Sequence, residues 1–131
     1  MSDLKSIEIL LTDIHKVIEE YSQHFVKELG QSIDITYPPG IEPEESIKKA
    51  FSSISLNETQ KEALKLAVMD LNAQILFDFF SKMDGVADPE FVPNNDLWFG
   101  VELKEKNEQS QSGMLHDQFY EKYWPYKESK T

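Results

Sequence analysis

The sequence contains no cysteine and no arginine. The first absence excludes disulfides, thiolate metal sites and cysteine nucleophiles, and gives no sign of an oxidising compartment. The second removes the planar fork that grips phosphates and guanine edges. All 13 bases are lysines, set against 24 acids, and the resulting net charge of −11 repels a polyanion through its whole field. Direct binding to nucleic acid or to an anionic membrane surface is therefore disfavoured. Five scattered glycines form no phosphate-cradling loop, and no serine stands in a nucleophile elbow. No run approaches the roughly 18 uncharged apolar residues of a membrane span. The opening "MSDLKSIEILLTDIHK", with acids at Asp3, Glu8 and Asp13, reads poorly as a signal peptide, and a cytoplasmic, bacterial protein is expected.

What the chain does contain is helical periodicity. Leu4, Ile7, Leu11, Ile14, Ile18, Tyr21 and Phe25 recur alternately three and four residues apart, so a long amphipathic helix is predicted over 2–29, capped by Ser2 or Asp3 and stopped at Gly30. Leu10 and Val17 widen its stripe beyond a strict two-position seam. Ile33, Ile35 and Tyr37 alternate with polar neighbours, predicting a strand over 33–37 that ends at Pro38-Pro39-Gly40. Pro43, Glu44 and Glu45 open a short helix over 43–53, with Ile47, Ala50, Phe51 and Ile54 turned inward. Asn57 and Gln60 have the spacing of a capping box, so a further helix is predicted over 58–83, with Gly85 just past its end. A second strand over 97–103 should pair with the first. A last helix over 114–124 completes the set, and 104–113 and 127–131 are expected to be mobile. The expected fold class is mainly α (α+β), in one domain spanning 1–131. It is a helical bundle built on the long N-terminal helix and a buried central helix, with a small two-stranded β ribbon and a short C-terminal helix.

The stretch "LKLAVMDLNAQILFDFFSKMDG", residues 64–85, sets Asp70 and Asp78 inside one of the most apolar runs of the chain. At about 100° per residue, Asp70, Gln74, Asp78, Ser81 and Lys82 share one narrow strip, the wetted edge of a helix covered on its other sides rather than a catalytic pair. Asn72 falls on the apolar side and needs its amide satisfied. His15 and His24 lie on opposite faces of the first helix and cannot share an ion. His116-Asp117 is similar to the paired ligands of helical metal-dependent phosphohydrolases, but no aspartate follows Asp117 to complete their set. "DGVADPE" lacks the ligand order of a calcium loop. No catalytic, cofactor-binding or metal-binding set is expected.

The segment from Asp84 to Glu102 is different in character, with Asp84, Asp88, Glu90, Asp96 and Glu102 and no lysine between Lys82 and Lys104. Phe91, Trp98 and Phe99 stand among these acids. An aromatic anchor ringed by like charge is how a surface takes hold of a basic protein, because the anchor supplies affinity and the charges speed encounter and select the partner. Asp84, Asp88, Glu90, Asp96, Trp98 and Glu102 are therefore the candidate partner-binding residues. The function expected is a small acidic interaction module, an inhibitor or immunity-type protein for a nuclease toxin or other nucleic-acid-binding protein. One alternative is a helical enzyme or ligand-binding domain with a polar pocket near Asn72, Asp78 and His116. The other is a structural homodimer joined along the first helix.

Overall fold

The computed structural model describes residues 6–32, 34–91, 97–106, 110–111 and 113–129. Their regular structure is helical: α1 Ser6–Glu28, α2 Glu45–Ser52, α3 Glu58–Met83, α4 Leu115–Glu121 and α5 Tyr123–Ser129. Among the described residues no helix is long and apolar enough to cross a membrane. The chain divides into two compact units, one formed by residues 1–18 with 71–131 and the other by residues 19–70.

Helix starts and stops follow local chemistry. At the start of α3 the Asn57 side chain accepts from the Gln60 N–H at 2.8 Å while the Gln60 side chain accepts from the Asn57 N–H at 3.0 Å. This is the reciprocal capping box that the spacing predicts. α1 stops ahead of Gly30, as expected, whereas Leu4 and the Ser2 or Asp3 cap lie outside the described residues. The C-terminal helix is split at Lys122, and its second part carries Pro125 in the first turn, where the missing N–H costs nothing. Helix rather than loose chain therefore continues through Ser129.

The buried stripe of α1 departs from the predicted seam. Ile7, Leu11, His15, Ile18, Ser22 and Val26 are the buried positions, so His15, Ser22 and Val26 stand where Ile14, Tyr21 and Phe25 are expected. A seam repeating every 3.5 residues stays on one side only if the helix supercoils, and the buried positions here recur mostly every fourth residue. Tyr21 is left 70% exposed.

In the unit of residues 1–18 and 71–131, the core gathers around α4. Leu11, Leu115 and Phe119 are fully enclosed, with Phe80 of α3 packed on Phe119 at 5.5 Å between ring centroids. The His15 ring stacks on Phe119 at 4.7 Å, and its Nε2–H donates to the Phe119 carbonyl at 2.6 Å. Burial lowers the pKa of His15, with the backbone hydrogen bond opposing it. The core position is thereby filled by a neutral, satisfied imidazole.

In the unit of residues 19–70, Ser22 and Val26 are the buried residues among those described. α2 buries none of its side chains: Ile47 is exposed and Phe51, which meets Phe25 edge-on at 6.1 Å, is half-buried. The inward face expected of Ile47, Ala50, Phe51 and Ile54 is therefore not a core face.

Two further expectations are corrected. α3 is not a buried helix, since Phe80 and Ser81 are its buried residues while Leu66, Leu71, Ile75 and Phe79 are exposed. A helix apolar on nearly every side has no single face that must turn inward, so composition does not fix which side is covered. No strand forms among the described residues, where the extended backbone yields one isolated antiparallel bridge between Lys104 and Ser110. Ile33 lies outside them, and the 97–103 segment spends its backbone donors elsewhere: Val101 N–H on the Met83 carbonyl and Leu103 N–H on the Gln111 side chain. The stretch expected to be mobile after 103 contains Glu105, which is buried and accepts from the Ile7 N–H at 3.3 Å.

Candidate functional site

The candidate surface is built on the end of α3. Past Met83 the chain turns at Gly85, and a returning strap, residues 97–102, is pinned across the helix end by two hydrogen bonds. The Trp98 indole N–H donates to the Lys82 carbonyl at 2.6 Å, and the Val101 N–H donates to the Met83 carbonyl at 2.6 Å. The second bond satisfies a carbonyl of the last turn, and the first adds a second donor to the Lys82 carbonyl, which also accepts from the Gly85 N–H at 3.1 Å. The strap lies so close that glycine is required at the crossing. Gly100 has φ +87°, and a Cβ there would stand 2.5 Å from the Met83 carbonyl oxygen. Gly85 has φ +77°, and its Cβ would stand 2.8 Å from the Phe99 oxygen. Helix end and strap thus meet backbone to backbone.

Asp84 locks the same corner to α4. Its Oδ1 accepts from the Leu115 N–H at 3.0 Å, and its Oδ2 accepts from the His116 N–H at 2.8 Å and from His116 Nδ1 at 2.5 Å. The carboxylate caps a helix whose own N-cap residue, Met114, has no side chain able to do so. Its side chain is 0% exposed. Burial works to raise the Asp84 pKa, but the hydrogen bonds from the His116 backbone, the His116 ring and the Leu115 backbone outweigh it, and the net shift is downward. An ionised carboxylate is held inside the fold.

The six sequence-predicted residues therefore separate. Asp88, Glu90 and Glu102 are exposed, while Asp84 is internal and Asp96 lies outside the described residues. Trp98, expected as the anchor, is half-buried with its N–H committed to Lys82, so it positions the strap. The side chains it leaves outward are its neighbours: Phe99 is 85% exposed and Leu97 78%, and Phe91 on the preceding segment is 86% exposed. Nothing in the local sequence separates Trp98 from Phe99, because the distinction depends on which ring meets the end of α3.

Asp78 and His116 of the alternative pocket have separate partners. Asp78 is exposed and ion-pairs with Lys82 at 2.7 Å. His116 is held on Asp84, and Asn72 is half-buried. Among the described residues, no group of three or more histidines and acids is placed to hold a metal ion.

No family model matches the chain, and no curated protein or solved structure matches it significantly.

Proposed function

We propose that this chain is a small acidic interaction module of the cytoplasm that holds a basic protein through the surface at the end of α3. The observation that supports this reading is the occurrence of exposed aromatics and exposed acids in one segment. Phe91 and Phe99 stand almost wholly in solvent in a segment that also carries exposed Asp88, Glu90 and Glu102 and no base. Large apolar groups left in water on a rigid base are characteristic of a binding surface, and the charges around them favour a cationic partner. Its concrete form is an inhibitor or immunity-type protein that neutralises a nuclease toxin or another nucleic-acid-binding protein, whose basic surface is by nature complementary to this one.

The test is retention of host proteins on the tagged chain at low salt, elution with rising salt, and identification by mass spectrometry, alongside the Asp88→Lys/Glu90→Lys variant. The expected result is a basic protein that elutes steeply with salt and is not retained by the variant. Equal retention by the variant, or no basic protein retained, overturns the reading. A homodimer joined along α1 is a second reading favoured by the exposure of Leu10 and Val17. It would show as a melting temperature that rises with protein concentration.

A further inference from the structure

The pinned strap leaves a cleft of about 340 Å³ between the end of α3 and the residue that precedes α4. Met83, Val101 and Met114 are among its apolar lining residues, the largely exposed Phe99 also borders it, and Glu102 lines it as well. We propose that this cleft receives an arginine side chain of the basic partner, a step that rests on the reading above and names the group it recognises.

Size limits the occupant first. The volume lies at the small end of ligand pockets, enough for one long side chain and little more. The walls then set its chemistry. Two thioether side chains and a phenyl ring adapt to a flexible aliphatic stem. Phe99 offers an exposed ring face for a weakly hydrated planar cation, and a carboxylate such as that of Glu102 accepts a guanidinium through two parallel hydrogen bonds. Lysine fills the same length but brings a compact, strongly hydrated charge that stacks less well.

Electrostatics point the same way. Glu102 has no ion-pair partner among the described residues, and the enclosed Asp84 carboxylate also lines the cleft. Gln111, the remaining polar side chain there, is occupied at both ends: its Oε1 accepts from the Leu103 N–H and its Nε2 donates to the Gly113 carbonyl. An apolar side chain would desolvate Glu102 without compensation, and an anion would be repelled. The floor is also preorganised, since the crossing of Gly85 and Gly100 leaves no slack between helix and strap.

The probe is the blocked tripeptide acetyl-Gly-Arg-Gly-amide, titrated to millimolar concentration into the full chain carrying carbon-13 methionine methyls. Met83 and Met114 line the cleft, and Met69 in the middle of α3 serves as an internal reference. Saturable shifts of the Met83 and Met114 methyls with Met69 unmoved are expected. The citrulline tripeptide, with the same shape and no charge, should bind at least about tenfold more weakly, as should the Arg peptide to the Glu102→Gln variant. Unmoved Met83 and Met114, or equal shifts with citrulline or with the lysine tripeptide, overturn the proposal. The outcome separates from that of the wider reading. A basic partner retained from the lysate together with silent cleft methyls removes the arginine pocket alone, whereas shifted methyls with no partner retained keep the pocket and remove the wider surface.

Discussion

Residues 19–70 and the unit formed by 1–18 with 71–131 differ in how they are held. The second contains the enclosed Leu11, Leu115 and Phe119 and three nearly buried charged or polar groups, His15, Ser81 and Glu105. The first relies on helix caps, exposed ion pairs such as Lys48–Glu42 at 2.6 Å, and half-buried contacts such as Phe25 on Phe51. Burial of apolar surface outweighs surface pairing in stability, so the cooperative core belongs to the second unit. The exposed aromatics and acids at the end of α3 belong to it as well. A surface meant to bind without rearranging is best placed on the part that does not yield.

The largest test of that difference removes a ring from each unit. Phe119→Ala should destabilise by about 3–5 kcal/mol, whereas Phe51→Ala, half-buried, should cost about 1 kcal/mol. Chemical denaturation of both variants measures it, and equal losses would erase the distinction. Gly100→Ala should cost about 2–4 kcal/mol, because it sets a Cβ against the Met83 carbonyl at a positive φ. Its far-ultraviolet circular dichroism should remain helical while the Trp98 fluorescence changes, as the strap lifts from the helix end. In the other unit, Asn57→Ala should cost only about 1 kcal/mol, the worth of one cap.

Between these in size lies Asp84→Asn, expected to cost about 1.5–3 kcal/mol through its charge-assisted bonds to α4. Its signature is in the pH dependence. The folded pKa of Asp84 lies below its ordinary 3.8, so the unfolded chain binds the proton first and stability is lost as pH falls from there. His15 is also lowered, from 6.5, so its neutral folded form adds a separate loss that begins as pH falls through that value. Thermal melts from neutral to acid pH should show both losses in the parent chain. Asp84→Asn should shrink the lower one, to which Glu42, also lowered by its Lys48 partner, contributes the rest, and keep the upper.

Local codes were readable from the sequence. The Asn57–Gln60 box, the stop before Gly30 and the placing of Asp78 on the wetted edge of α3 each depend on residues a few positions apart. What depended on distant partners was not readable. His15 looks like the polar flank of α1, and becomes core because Phe119, over a hundred residues away, supplies its stacking ring and carbonyl. Asp84 reads as one more acid in an acidic loop, yet its bonds to Leu115 and His116 make it a cap. The strand expected over 97–103 does not form, because alternation fixes side-chain facing and says nothing of where backbone donors go. Here they go to the end of α3 and to Gln111. The acidic, aromatic character of 84–102 was visible from composition, but the division of labour between Trp98 and Phe99 was not.

The most direct test of the central claim compares two apolar-to-polar variants as bait for host proteins, Phe91→Ser/Phe99→Ser at the end of α3 and Tyr37→Ser/Ile47→Ser in residues 19–70. All four side chains are exposed in the structure, so neither variant should lose stability. The first is expected to lose a basic partner that the second retains. Retention by the first and loss by the second would contradict it.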